Sequence, residues 1–276
     1  MRFALVGSGR CGTSLLRRLM NMHPQLWVHG ETHWLPRMYE YAGMGLCQTD
    51  ALLHIFRQTT HTNGERVVPV RDAELLELFG KTPEITVRDF AEKIGRFLAE
   101  RHNKTIWADK TPDYGFFMQQ IQTIWPDCKF IHLIRNGLDV AKSMSKHDGF
   151  QWILTSGEAT WCTASFNRYY STVEAVEHPV AAYAGRWCHA VNRIRDEATR
   201  IRPETYKEVF YEAILADPAA VLENIAEFVS IEPNGDWLAK SSTVINLAKL
   251  NAEIDKKLLA SLQPNEVNLM KNLGYI

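Results

Sequence analysis

Phe3-Ala4-Leu5-Val6-Gly7-Ser8-Gly9-Arg10-Cys11-Gly12-Thr13-Ser14 stands near the N-terminus, and Leu15, Leu16, Leu19 and Met20 follow at helical spacing. Four consecutive apolar residues without alternation read as a strand buried on both faces. Glycines at 7, 9 and 12 make the turn, and an amphipathic helix leaves it. Strand, glycine-rich turn and helix together form an anion site for a physical reason. Backbone N–H groups point inward, and the helix N-terminus adds about half a positive charge. The spacing from Gly7 to Gly12 fits the first half of a Walker A loop, but Thr13 stands where the lysine belongs. Arg10 is the one cation of the turn. The anion is therefore not a triphosphate held in the usual way; an ordinary tight turn is the plain alternative.

Outward from this stretch, strands and helices alternate. The first helix stops near Met22, because Pro24 disfavours the α conformation at His23. Leu26-Trp27-Val28, 105–108 and Lys129 to Ile134 read as strands, and Tyr206 to Tyr211 as a last one. Thr86 reads as an N-cap with Phe90, Ile94, Phe97 and Leu98 on one face. A helix carries Phe116, Phe117, Ile121 and Ile124 and ends before Pro126. Trp187, Val191, Ile194, Ala198 and Ile201 mark a long one ending before Pro203. Asp217-Pro218 starts a helix reaching Val229, and Gly274 closes the last. The fold class is α/β: one three-layer domain over residues 1–276, a mostly parallel sheet flanked by helices. Residues 43–104 are the least regular part and read as a helical insertion.

The 276 residues carry a formal net charge of -1, which leaves no global footprint for nucleic acid. Five scattered cysteines argue against a disulfide framework or a zinc site and fit a reducing compartment. No apolar run spans a bilayer, and no signal peptide precedes the first strand, so the expectation is a cytoplasmic protein without a membrane anchor. The acid and histidine spacings match no metal motif.

Gly9-Arg10-Cys11-Gly12-Thr13-Ser14-Leu15-Leu16 resembles the 5′-phosphosulfate loop of sulfotransferases that use 3′-phosphoadenosine 5′-phosphosulfate (PAPS). Phe130 to Gly137, continuing to Ser143, resembles their 3′-phosphate motif: a strand, an arginine at its end and a serine in the next helix. Within that family the likeness is to tyrosylprotein sulfotransferases and their bacterial relatives. Gly30-Glu31-Thr32-His33-Trp34-Leu35-Pro36, Asp109-Lys110-Thr111-Pro112, Phe210-Tyr211-Glu212 and Lys271 to Tyr275 resemble further stretches of that group. His33 stands where that group has an arginine, and Cys11 where it has a serine, so a protein-tyrosine acceptor is not implied. Asn234-Gly235-Asp236-Trp237 superficially matches a cytosolic sulfotransferase motif and is discounted on its surroundings.

The resemblance implies PAPS as co-substrate, 3′-phosphoadenosine 5′-phosphate as product, a hydroxyl-bearing small molecule or peptide as acceptor, and no metal. It makes Glu31 the general base. It also puts Lys110 at the bridging oxygen or the transferring sulfuryl group and makes Arg10 and Lys110 the stabilisers of leaving-group charge. It assigns the nucleotide to Gly9, Arg10, Cys11, Gly12, Thr13, Ser14, Arg135, Ser143 and Tyr211; residues 43–104 and 148–185 match no stretch of the family, and 43–104 is expected to form an acceptor-side insertion. An arginine fork plus a hydroxyl suits a phosphate dianion. Each residue has a plainer reading: Arg10 solvated on a turn, Glu31 in a salt bridge, Lys110 on the surface beside Asp109, Arg135 a cap, Tyr211 a half-buried strand residue. His132 reads as core, and His33 and His147 as alternative bases. Ser241 or Ser242 would lie near the phosphosulfate, and Trp34, Tyr39, Tyr41, Trp152 or Trp161 would line an acceptor pocket. A P-loop kinase and a non-catalytic nucleotide-binding module are the rival functions.

Overall fold

The opening apolar run forms β1 (Phe3–Gly7), and Phe3 through Val6 are wholly buried. The computed structural model describes residues 1–61, 63–164, 173–244 and 255–276. The further strands are β2 (Leu26–Val28), β3 (Cys47–Gln48), β4 (Glu84–Ile85), β5 (Ile106–Lys110), β6 (Lys129–Ile134) and β7 (Tyr206–Phe210). Five of them make one sheet in the order β2-β5-β1-β6-β7. Every pairing in it is parallel, with Ala4 opposite Asp109 on one side and Phe130 on the other. The chain therefore leaves β1 in both directions, and the crevice at a reversal of strand order, outside the carboxyl ends, is where open α/β sheets hold ligands.

Alternation along β1 divides the core into two layers. Phe3 and Leu5 pack with Leu16, Leu19 and Trp187 on one face, and Ala4 and Val6 with Phe90, Ile94 and Tyr114 on the other. The helix Val180–Ala198 serves both, giving Tyr183, Trp187 and Val191 to the first layer and Ala190 and Ile194 to the second. Each such side chain contributes about 1.5–3 kcal/mol by leaving water. The result is the expected three-layer α/β architecture.

Most expected boundaries hold. The first helix is Thr13–Asn21; the Thr86 hydroxyl accepts the Asp89 N–H at 3.1 Å, Asp217 accepts that of Ala220 at 3.0 Å, and Gly274 takes φ 75°. His132 is wholly buried, bonds Tyr206 at 2.6 Å, and is kept neutral by a pKa that burial lowers to about 3, a core role. Four details differ. Pairing with β1 carries β5 on to Lys110, so that lysine ends the strand rather than following it. Tyr211 starts the helix Tyr211–Ala216 instead of closing a strand. Pro112 opens a 3-10 turn through Phe116, and the α-helix begins only at Met118. The long helix starts seven residues before Trp187, at Val180 behind Pro179. Residues 43–104 carry the helices Thr49–Gln58, Asp72–Phe79 and Val87–Glu100 and the short antiparallel β3–β4 pair.

Candidate active site

The turn after β1 is held open by backbone geometry. Gly9, Arg10 and Gly12 have φ of 75°, 52° and 105°, the left-handed region that only glycine enters freely. A Cβ on Gly12 would lie 2.3 Å from the Tyr211 ring, and one on Gly9 2.6 Å from that of Phe150. Gly12 also brings no side chain to cap the helix Thr13–Asn21, and its first turn carries no acid. The uncapped N–H groups and their partial positive charge are left for an anion. Cys11 is the exception among the loop residues: its side chain is wholly buried, and burial pushes its thiol pKa up. Only its backbone remains to meet a ligand.

Opposite the loop, the ends of β2 and β5 bring together two residues 79 positions apart. Lys110 Nζ donates to Glu31 Oε1 at 2.5 Å, and His33 Nε2 lies 3.4 Å from Oε2. Lys110 is no surface lysine, since its side chain is 4% exposed, while Glu31 keeps 37% of its side chain open to the cleft. Burial works to raise the Glu31 pKa, but the Lys110 ammonium and His33 outweigh it and hold the carboxyl well below the usual carboxylate range. His33 adopts φ 60° and its Nδ1 sits 3.7 Å from Cys162 Sγ. Such strain on a non-glycine residue costs about 1–2 kcal/mol and is tolerated where neighbours fix the backbone.

A second cation stands at the end of β6. Arg135 packs its guanidinium 4.5 Å from the centre of the Tyr211 ring, and Nη2 donates to Asp139 at 3.1 Å. Its Nε is buried with no hydrogen-bond partner among the described residues. An orphaned charged donor of this kind is costly unless a ligand answers it. Ser143, two turns into the next helix (Gly137–Ser145), accepts from Arg10 Nε at 3.2 Å and so ties the two cation sites together.

These residues line one cleft of about 1000 Å³. It is larger than a depression of about 870 Å³ at the amino ends of the strands, near Met1 and Trp125. Glu31, Lys110 and every residue assigned to the nucleotide border it except Cys11. Trp161 and His147 also border it, whereas Trp34 and Trp152 are core and Tyr41 is solvent-exposed. Ser241 is wholly buried and, like Ser242, is not among the cleft residues. Trp237, discounted as a motif residue, is buried and donates to the Leu19 carbonyl at 2.7 Å.

Sequence reasoning missed Arg17, Asp113, Lys146 and Phe150, all of which border the cleft. Arg17 lies one turn beyond Thr13 on the same helix face, a spacing that was available to find it. Asp113 is buried, which raises its pKa, and its carboxylate accepts the Trp161 N–H. Among the described residues no group of three or more metal-ligating side chains gathers.

Comparison with known proteins bears on family and fold. The nodulation protein NoeE of Sinorhizobium fredii (strain NBRC 101917 / NGR234) is 28% identical over 151 residues, covering 54% of this chain. The match spans only 32% of that relative's length. The sulfotransferase domain from the curacin biosynthetic pathway superposes with a TM-score of 0.59 at 17% identity, covering 99% of this chain and 97% of its own. The sulfotransferase domain from the Synechococcus PCC 7002 olefin synthase gives 0.55 at 20% identity, covering 99% and 94%. At these identities the structural likeness is one of fold. A family model described as the sulfotransferase family matches residues 3–234, a range that holds the glycine turn, Glu31, Lys110, Arg135 and Tyr211, and the chain belongs to that family.

Proposed function

We propose that the protein transfers a sulfuryl group from PAPS to an acceptor hydroxyl, with Glu31 as general base. The observation that carries this is the Glu31–Lys110 pair facing Arg10 and the uncapped glycine turn in one cleft. The residues suit the nucleotide. Gly9 and Gly12, lacking a Cβ, let the turn lie directly against the Phe150 and Tyr211 rings, and Arg135 offers a buried N–H without a partner among the described residues to a ribose phosphate. The donor supplies a sulfuryl group on a phosphate leaving group.

Glu31 takes the proton of the attacking hydroxyl. Lys110 and Arg10 answer the negative charge that builds on the departing phosphate, aided by the loop N–H groups. Little covalent work falls to the protein, so position and charge dominate. While Lys110 is held by Glu31, that carboxylate is a weak base. An anion competing for the ammonium strengthens it, which couples donor binding to base activation. Arg135 and Ser143 hold the 3′-phosphate, and Tyr211 lies under the nucleotide.

The acceptor, a small molecule or peptide, enters between Trp161 and the segment carrying Thr60, His61 and Val67, which border the cleft. This supports 43–104 as the acceptor side of a single 1–276 domain. The five cysteines are free thiols, which supports a reducing, cytoplasmic setting. No helix among the described residues is long and apolar enough to cross a membrane.

The test is PAPS-dependent sulfation across an acceptor library. Glu31→Ala and Arg10→Ala should each abolish turnover while the fold survives. Full activity in both removes the mechanism. The product nucleotide should raise the melting temperature, and ATP–Mg²⁺ should not.

A further inference from the structure

Glu31 sits on a loop, yet the reaction needs it fixed beside Lys110. The next residue shows how it is held. The Thr32 hydroxyl donates to Asp109 Oδ2 at 2.8 Å, and the Thr32 N–H donates to Thr111 Oγ1 at 2.9 Å. Thr111 in turn donates to Asp109 Oδ1 at 2.6 Å. Tyr114 OH lies 2.5 Å from Thr32 Oγ1 and accepts the Leu35 N–H at 3.3 Å. Because the Thr32 proton is committed to Asp109, Tyr114 is the donor in its contact with Thr32. Two relays therefore converge on the two oxygens of one carboxylate, and every donor is satisfied. Thr32, Asp109, Thr111 and Tyr114 are all at least 97% buried. Strand pairing anchors the other side of Glu31, where His29 N–H donates to the Ala108 carbonyl at 2.8 Å.

We infer that Asp109 is a positioning residue: through Thr32 it clamps the Glu31 loop onto the end of β5 and sets the spacing between base and Lys110. Successive residues of that strand end divide the work, Lys110 facing the cleft and Asp109 and Thr111 gripping the loop. Asp109 itself is not among the residues bordering the cleft, so it acts only through others. A buried polar network with every member satisfied rigidifies what it joins. Misplacing a reacting group by about 1 Å can cost about 100-fold in rate.

The clamp rests on the proposed sulfuryl transfer, and the experiment separates the two. Thr32→Val keeps shape and removes the hydroxyl. Thr32→Ser keeps the hydroxyl, and Tyr114→Phe removes the outer donor together with the acceptor of the Leu35 N–H. Wild type and variants are assayed for kcat, acceptor KM and affinity for 3′-phosphoadenosine 5′-phosphate. Expected are a 10- to 100-fold fall in kcat for Thr32→Val, a fall of about 3- to 10-fold for Tyr114→Phe, and near wild-type turnover for Thr32→Ser. Nucleotide affinity should stay within about threefold throughout, which a collapsed fold would not allow. An active wild type with Thr32→Val and Tyr114→Phe within twofold of it overturns the clamp and leaves sulfuryl transfer standing. So does a Thr32→Ser that loses as much as Thr32→Val. If Thr32→Val does not fold, Tyr114→Phe and Thr32→Ser decide. A wild type that binds no nucleotide and sulfates nothing removes the transfer reading, and the clamp with it.

Discussion

Replacing Arg135 by alanine should separate nucleotide binding from fold, because the structure shows what the residue does before any ligand arrives. In the free protein its guanidinium has one partly exposed partner, Asp139 at 3.1 Å, and one ring face, Tyr211. The first is worth about 0.3–0.5 kcal/mol and the second about 0.5–1 kcal/mol. Against these stands the buried, unpartnered Nε, whose removal relieves a cost of similar size. The net change is within about 1 kcal/mol, or about 2–4 °C in melting temperature for a chain of this size. With a 3′-phosphate present, Nε and Nη1 remain to donate. Hydrogen bonds to charged groups are worth about 1.5–3 kcal/mol. A combined loss of about 3 kcal/mol is about 100-fold in Kd. Calorimetry with 3′-phosphoadenosine 5′-phosphate and with adenosine 5′-phosphate completes the cycle. Arg135→Ala should cost about 100-fold with the first and less than about threefold with the second, which lacks the phosphate concerned. Equal losses for both ligands, or no loss for either, would refute the assignment.

Glu31→Gln should lower kcat by about 100- to 10,000-fold while leaving product-nucleotide affinity within a few-fold, read by turnover and calorimetry. Gly12→Ala forces a side chain into φ 105° and 2.3 Å from the Tyr211 ring. It should destabilise by about 2–4 kcal/mol and abolish the thermal shift with nucleotide; an unchanged melting curve would contradict that loop geometry. Trp161→Ala should raise acceptor KM with little effect on nucleotide affinity. Two carboxylates set opposite pH limbs. The Glu31 pKa is depressed in the folded state, so its contribution is present above the unfolded value of about 4.3 and drains away as pH falls below it. Burial raises that of Asp109 from 3.8 to about 6, so the folded state holds its proton more tightly and stability declines as pH rises through that window. Asp109→Asn should flatten the decline between about pH 4 and pH 6 in melting temperature, and Glu31→Gln the one below it.

The central sheet was legible in the sequence because parallel strands buried on both faces read as unbroken apolar runs. Phe3 to Val6 is such a run, ended by Gly7, and Phe130 to Ile134 is one interrupted only by His132 and ended by Arg135-Asn136-Gly137. The glycine turn was legible for a related reason: left-handed backbone at positions 9 and 12 demands the residue that is there. The meeting of Glu31 with Lys110 was not legible from local pattern. It depends on β5 lying between β1 and β2, a register set by packing over 79 positions. Only the family resemblance suggested roles for them, and it did so without their contact. The Thr32–Asp109–Thr111 relay was invisible for the same reason, since threonines carry no periodic signal. Cys11 shows the converse limit: a loop residue chosen by position turned its side chain into the core. Phe150 and Arg17 were missed because an apolar or basic residue on a helix has many ordinary explanations.

A crystal structure with 3′-phosphoadenosine 5′-phosphate at millimolar concentration tests the reading most directly. It should show the 5′-phosphate against the Gly9–Ser14 backbone and Arg10, the 3′-phosphate on Arg135 and Ser143, and Glu31 facing the vacant sulfuryl position. Nucleotide bound in the depression by Trp125, or density for none, would contradict it.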